Sequence, residues 1–391
     1  MVHAAEVQHR RDQGAGAMKI GMIYFEFGGA KGIARAAREL SLRIVQKGHD
    51  IQFYCARVPN DAAHPRLRFR KVTAVNSFTT IGLASFAVAG KAWVGRGTYD
   101  LLHSYGNIVG SDVITAQSCH RAAMQVARAR GYPHSGWNIG TADALRLYLE
   151  RKNYGERRYK RIIAVSDSVK HELMEWYGVN EEDIRVIPNG VDLECFHPGL
   201  KESVGKRVRS TLGIREEDFV ISFVGNEFGR KGLDSVMQAL AAWNNRAARL
   251  LVVGDDESGP YRALARRFGL TDHIFFVSGV PAPEQYFAAS DVFVLPTYYE
   301  PFGIVIIEAM ACGIPVITSR IAGAVETMEH GVHGLFLDDP SSHEELLHHL
   351  SRLGEDVLLR HSISTNALRA IQRFDWDVIA DQTLRVYEEI L

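Results

Sequence analysis

The chain has 391 residues, 46% of them hydrophobic and 23% charged, with a formal net charge of −1. That length and balance suit a soluble globular protein of two domains. No run of about 18 apolar residues occurs, which excludes a membrane-spanning helix; four widely spaced cysteines (Cys55, Cys119, Cys195 and Cys312) include no CxxC pair, so neither a zinc site nor a disulfide framework is indicated and a reducing cytosol is the expected setting.

In chain order, residues 1–17 are polar and lack the apolar stretch of a signal peptide, and Met18 reads as the working start because the first strand begins there. Lys19–Tyr24 (KIGMIY) predicts a buried strand, Glu26–Gly32 (EFGGAKG) a glycine-rich loop, Ile33–Gln46 a helix and Asp50–Cys55 a strand. Ile81–Gly90 (IGLASFAVAG), closed by Lys91, is too short to span a bilayer and reads as a buried helix, with an interfacial segment as the alternative. Asp112–Thr115 and Arg161–Val165 (RIIAV) are further strands, and Ser166 and Ser168 open a helix to Tyr177. A connector runs from Pro188 to Gly205. It contains Pro-Asn-Gly-Val-Asp, in which Asn189-Gly190 suits a tight turn. A second series begins near Asp218, with strands at Phe219–Val224, Arg249–Val253, Ile274–Val277, Asp291–Leu295 and Pro315–Thr318. Between its first two strands lie a loop, Gly225–Gly232, and a helix, Leu233–Trp243. The last helix, Trp376–Leu391, is amphipathic, with Trp376, Ile379, Leu384, Tyr387 and Ile390 on its core face. Strand–helix alternation repeated in two halves predicts an α/β protein of two doubly wound domains.

The halves differ in charge. Up to Pro198 there are 27 Lys and Arg against 19 Asp and Glu, and the remainder has 18 against 27. The basic first half suggests an anionic partner. Its densest part, Arg121–Arg161, sets ten Lys and Arg against Asp143, Glu150 and Glu156, interleaved with Tyr132, Trp137, Tyr148, Tyr154 and Tyr159. Such a stretch suits an anionic membrane surface or a phosphorylated acceptor, and reads equally well as a solvated helical face. No nucleic-acid-binding module accompanies it, so nucleic acid is not an expected partner.

Two segments carry most of the chemistry. Thr297–Thr318 (TYYEPFGIVIIEAMACGIPVIT) follows a strand, and its residues from Ile304 read as a short helix with a buried face. Gly303 just inside that helix lets a ligand approach free backbone N–H groups, which with the helix dipole favour an anion. Glu300 stands on the loop and Glu308 on the helix, where carboxylates would be free to accept hydrogen bonds from sugar hydroxyls; for such a spacing alone, a capped helix with one solvated Glu is the better reading. Gly225–Gly232 (GNEFGRKG) places Arg230 and Lys231 near another helix N-terminus, where two cations and a dipole make a diphosphate clamp; an Arg-Lys pair in a loop is ordinarily just solvated. In Glu26–Gly32 the dinucleotide fingerprint GxGxxG is absent, but Gly28 and Gly29 allow a phosphate or sugar close to the backbone. A mere turn fits that loop as well.

The TYYEPFGIVIIEAMACGIPVIT segment resembles the retaining glycosyltransferases of family 4. The basic pair Arg230-Lys231 and the segment VIPNGVDLECFHP after RIIAVSDSVKHEL extend the likeness from about Met18 to Leu391, with Asn226 standing where many members have Arg. The resemblance implies the GT-B fold: two Rossmann-like domains facing a cleft, residues 18–198 binding acceptor and 199–375 binding the nucleotide sugar, with helix 376–391 crossing back onto the first. It implies that Glu308 holds ribose hydroxyls and that the backbone of Gly303, Ile304 and Val305 meets phosphate or ribose. Glu300 would contact the sugar, and Arg230 and Lys231 would stabilise the leaving diphosphate. His120, near a point where many members carry a cleft-edge His, is carried over as a contact of the donor sugar. The loop of Gly28 and Gly29 is carried over to donor and acceptor contact. No obligatory metal or other cofactor is expected: Asp255-Asp256 lacks the DxD triad, and His343-Glu344-x-x-x-His348-His349 is not HExxH. FGRKG and the basic first half most resemble lipopolysaccharide core glucosyltransferases. The expected activity is therefore transfer of a hexose from a nucleoside-diphosphate sugar, UDP favoured, to a glycan or glycolipid, in the cytoplasm or at the inner membrane face. The alternatives are an epimerase or phosphorylase of the same fold, or a non-catalytic sugar-nucleotide-binding protein.

Overall fold

The structure, a computed structural model, describes residues 16–29, 32–58, 64–75, 79–95, 97–130, 140–279 and 282–391. The first seven strands are β1 (Lys19–Ile23), β2 (Asp50–Cys55), β3 (Leu67–Lys71), β4 (Leu101–Ser104), β5 (Val113–Ala116), β6 (Arg161–Ala164) and β7 (Ile184–Val186). They form one parallel sheet in the order β3-β2-β1-β4-β5-β6-β7. The other six are β8 (Phe219–Val224), β9 (Ala248–Val253), β10 (Ile274–Val277), β11 (Val292–Leu295), β12 (Val316–Ser319) and β13 (Leu335–Leu337). They make a second parallel sheet, β10-β9-β8-β11-β12-β13.

Each sheet reverses its strand order once, between β1 and β4 in the first and between β8 and β11 in the second. In doubly wound sheets ligands bind beyond the carboxyl ends of strands at that reversal. The loops after β1, β8 and β11 are therefore the ones the fold presents to a ligand. Central strands are buried on both faces and carry largely apolar runs, as in VFVL of β11 and FVISFV of β8, where Ser222 is the one polar residue. Helix Gly32–Gln46 packs over the first sheet through Ala37, Leu40, Ile44 and Val45, all buried at helical spacing.

The last helix, Trp376–Glu388, lies on the first domain, where Trp376, Ile379, Ala380, Leu384 and Tyr387 share a core with Ile20, Ile44 and Leu101. A buried polar tie fixes it. His103 on β4 holds Tyr387 Oη at 2.6 Å through Nδ1 and Thr115 Oγ1 at 2.7 Å through Nε2, and burial depresses the imidazole to a pKa of about 3, so it is neutral. The chain thus crosses between domains twice, and the crossings touch: Val191 N–H donates to Phe374 O at 2.8 Å and Val191 bridges to Asp375. Close approach, rather than a turn, explains Gly190, since a Cβ there would stand 2.5 Å from the Trp376 ring.

Helix Thr80–Val94 corrects the buried-helix reading of Ile81–Gly90. It buries Gly82, Phe86, Gly90 and Val94, but Ile81 and Val88 are 70% and 75% exposed. No helix among the described residues is long and apolar enough to cross a membrane.

Candidate active site

The loop from β8 folds back at Glu227, a non-glycine residue at φ 59°, so that Arg230 and Lys231 precede helix Leu233–Ala242. Tyr298 N–H donates to Arg230 O at 2.9 Å, joining this loop to the one after β11. Arg230 binds the Glu227 carboxylate at 2.7 Å, donates to Tyr299 O and stands 3.6 Å from Glu300 Oε2. Lys231, 8% exposed, places Nζ 2.7 Å from the same oxygen. The basic pair and Glu300 form one largely shielded cluster, with side-chain exposures of 10–11%.

Gly303, at φ 95°, turns the chain from this cluster into helix Ile304–Ala311. A Cβ there would lie 2.7 Å from Ile306 Cδ1 as well as forcing a left-handed backbone, so the position demands glycine twice over. Ile304 and Val305 open the helix, where N–H groups have no carbonyl of their own helix to bond. Glu308, one turn further, is 2% exposed. Its Oε1 receives Arg35 from the opposite domain, while Oε2 has no hydrogen-bond partner.

Two buried carboxylates here are pushed in opposite directions. Burial raises both. For Glu300 the charges of Lys231 and Arg230 outweigh it and hold the carboxyl below the usual range. For Glu308 burial prevails over Arg35, Glu284 adds repulsion, and the carboxyl rises to about 7.

Between the domains these groups line a cavity of about 550 Å³, whose other wall includes Gly29, Arg35, Gln117, His120 and Asn189. Gly303, Ile304, Val305, Arg230 and Lys231 all face it. Gly28 does not: its N–H donates to Ala34 O at 3.1 Å and its Cα backs onto Arg38, so it shapes the loop while Gly29 meets the cleft. His120 opens helix His120–Arg130, with Nε2 3.1 Å from Asp143 Oδ1. Burial first, and Arg146 second, lower its pKa against the pull of Asp143, so the ring is neutral at neutral pH. Its backbone N–H donates to Glu150 at 2.6 Å, which fixes the start of the helix.

Arg35, Gln117 and Asn189 were not singled out as site residues by sequence. Gln117 and Asn189 exchange side-chain hydrogen bonds at 2.9 and 3.0 Å, which turns a residue of the connector into part of the wall. The PNG sequence marks Asn189; nothing in the sequence marks Arg35.

The basic stretch is dispersed by folding. Lys152 and Arg158 meet Glu156, Lys160 meets Asp112, and Arg161 lies 3.6 Å from Glu389. Tyr154 is buried and Tyr148 exposed. Tyr132 and Trp137 lie outside the described residues. Among the described residues Arg121, Arg128 and Arg151 have no ion pair with a carboxylate and line a second hollow on the first domain beside Tyr148 and Trp176.

Residues 30–195 match the family model for Glycosyltransferase Family 4 and residues 206–370 the model for Glycosyl transferases group 1. A D-inositol 3-phosphate glycosyltransferase of Kribbella flavida is 32% identical over 309 residues, covering 74% of this chain and 71% of that protein. The lipopolysaccharide glucosyltransferase WaaG of Escherichia coli K12 is 25% identical over 351 residues, covering 88% and 91%. A crystal structure of WaaG matches with TM-score 0.79 at 22% identity, over 94% of this chain and 99% of that one. Anabaena HepE, solved with UDP and glucose, matches with TM-score 0.73 at 21% identity, over 95% and 100%.

Proposed function

The chain belongs to the family 4 glycosyltransferases of GT-B fold, and on that premise we propose that it transfers a hexose from a nucleoside-diphosphate sugar to a hydroxyl of a glycan or glycolipid with retention of configuration. One observation carries this reading: Arg230, Lys231, Glu300, Glu308 and the N-terminus of helix Ile304–Ala311 converge on a single interdomain cavity. The helix N-terminus and the two cations suit a diphosphate. Glu308 suits a ribose diol, with Oε2 ready to accept. Glu300, held ionised by Lys231, suits sugar hydroxyls. Neutral His120 on the facing wall directs Nε2 at Asp143, which leaves Nδ1 as an acceptor for a hydroxyl of the same sugar.

In the reaction the bond from the anomeric carbon to phosphate oxygen breaks and a bond to the acceptor oxygen forms on the same face. The acceptor proton passes to the departing phosphate. Negative charge then grows on the diphosphate beside Arg230 and Lys231, and donors aimed at developing charge are each worth roughly 10²–10³ in turnover. These side chains supply the charge without calling on a metal.

UDP is the first nucleotide to test, supported by the fold neighbour solved with UDP and glucose. A lipopolysaccharide core or related envelope acceptor is supported by the sequence likeness to WaaG. Docking to the cytoplasmic face of a membrane is supported by exposed Ile81 and Val88 and by Arg121, Arg128 and Arg151 on the same domain, which have no carboxylate ion pair among the described residues. The test is calorimetric titration with UDP, GDP and ADP in EDTA, followed by NMR of the product made from the matching sugar nucleotide. Micromolar binding of one nucleotide and an unchanged anomeric configuration are expected. No binding, or an inverted product, overturns the reading.

A further inference from the structure

Arg35 belongs to the first domain, but its partner is in the second: the guanidinium donates to Glu308 Oε1. The helix that carries it starts against the donor-side helix, with the Cβ position of Gly32 3.6 Å from Ile304 Cδ1. Phe196, in the connector, lies with its ring centroid 5.9 Å from the Arg35 guanidinium carbon. Glu308 is buried, lines the cavity and keeps Oε2 without a hydrogen-bond partner. A buried carboxylate oxygen left unpaired is costly unless something arrives to use it.

We propose that Arg35 is a positioning residue for the donor: by pairing with Glu308 Oε1 it fixes the carboxylate so that Oε2 receives a ribose hydroxyl, and it makes that contact depend on the two domains being together. The proposal rests on the reading of Glu308 as the ribose acceptor. The other titratable groups around Glu308 are Glu284 on helix Glu284–Ala288, Cys195 in the connector and Cys312 after its own helix. Glu284 repels the carboxylate, and both thiols are neutral at neutral pH: burial raises Cys312, and partial desolvation with Glu284 and Asp192 raises the surface-exposed Cys195 to about 11. Arg35 is therefore the group that opposes protonation of Glu308. Even with it Glu308 titrates at about 7, so without it the carboxyl is largely protonated at neutral pH and a poor acceptor.

The test compares wild type, Arg35→Gln and Arg35→Lys by calorimetry with UDP, GDP or ADP, whichever binds, and with its 2′,3′-dideoxy form, from pH 6 to pH 9. Wild type should prefer the ribose form by about tenfold or more at pH 8, the worth of a charged hydrogen bond, and lose the preference as pH falls through about 7. Arg35→Gln should reduce the preference to within about threefold at pH 7 and recover it towards pH 9, and Arg35→Lys should restore most of it at pH 7. A wild type that binds both forms equally refutes the ribose reading and this inference with it. If wild type discriminates and Arg35→Gln discriminates equally at every pH, the ribose reading stands and Arg35 has no positioning role. If Arg35→Gln weakens both forms by one pH-independent factor, Arg35 is a simple cation for the diphosphate, and the proposal fails.

Discussion

Replacing Lys231 by Met keeps the side chain's bulk and deletes its charge. Lys231 Nζ is 2.7 Å from Glu300 Oε2 with both side chains buried, so the loss is felt by the carboxylate before any substrate arrives. Arg230 stays at 3.6 Å, already engaged with Glu227. The buried carboxylate then escapes its burial cost by taking a proton. An unperturbed glutamate titrates at about 4.3 and each pH unit is worth about 1.36 kcal/mol, so protonating it at pH 7 costs at most about 3.7 kcal/mol. That figure caps the protonation cost in the variant, and the loss of the parent's own stabilising contribution adds to it. In the parent, Glu300 is held below its unfolded pKa, so its stabilising contribution is present at neutral pH and lost on acidification. In the variant burial acts with one cation fewer. The stability gap between the two proteins is therefore widest near pH 7, narrows towards pH 4 and closes below it, as Glu300 of the parent takes up its proton. Turnover should fall by roughly 10²–10³, because the cation that meets the leaving diphosphate is gone. Chemical denaturation at pH 7 and pH 5, with steady-state transfer from the sugar nucleotide that binds, reads both effects. Turnover within about fivefold of the parent makes Lys231 a counter-ion of Glu300 and nothing more; a stability gap equal at the two pH values refutes the charge argument.

Glu172 accepts from Tyr299 Oη at 2.9 Å across the domain boundary, and burial, assisted by Glu150 and opposed by Tyr299, raises it to about 7. A carboxyl titrating higher when folded stabilises below its unfolded pKa and loses that contribution as pH rises through about 7, so Glu172→Gln should gain on the order of 2 kcal/mol over the parent at pH 8 and nothing near pH 4 in pH-resolved denaturation. Glu326 accepts from Asp167 and Ser168 N–H at 2.7 and 2.9 Å, capping helix Asp167–Tyr177 from the other domain, and Glu326→Ala should cost about 1–2 kcal/mol by thermal unfolding. Paired Ile81→Asp and Val88→Asp substitutions, at positions 70% and 75% exposed, should leave stability within about 0.5 kcal/mol while lowering co-sedimentation with anionic vesicles at low salt. Unchanged sedimentation argues for an acceptor met in solution.

Burial on both faces made most central strands legible; β4, LLHS, is buried throughout but was missed because half of its four residues are polar. KIGMI after its exposed Lys19, FVISFV apart from Ser222, and VFVL are apolar because helices cover each sheet. β3 was missed because it is an edge strand, LRFRK, with its charges in solvent, and β7 and β13 are three residues long. At the candidate site, Arg230, Lys231, Glu300 and Glu308 sit in two short segments that follow neighbouring strands, so sequence motifs and spatial neighbours coincide. Arg35 and Glu308 are 273 residues apart, and their meeting depends on how two domains face each other. Residue types within a segment do not encode that. Likewise EFGGAKG cannot say that Gly29 meets the cleft while Gly28 braces against Arg38.

The bond from Val191 to Phe374 has a mechanical consequence. A single tether would let one domain swivel, tilt and slide on the other. Two tethers clasped side by side behave as a strap hinge, which removes swivel and slide and leaves one angle free. Opening the cleft then moves every residue of one wall along the same arc, so Arg35, Gly29 and His120 withdraw from the donor side together. Cutting the chain before Trp376 would free the lost motions as well as stripping a helix from the first domain's core.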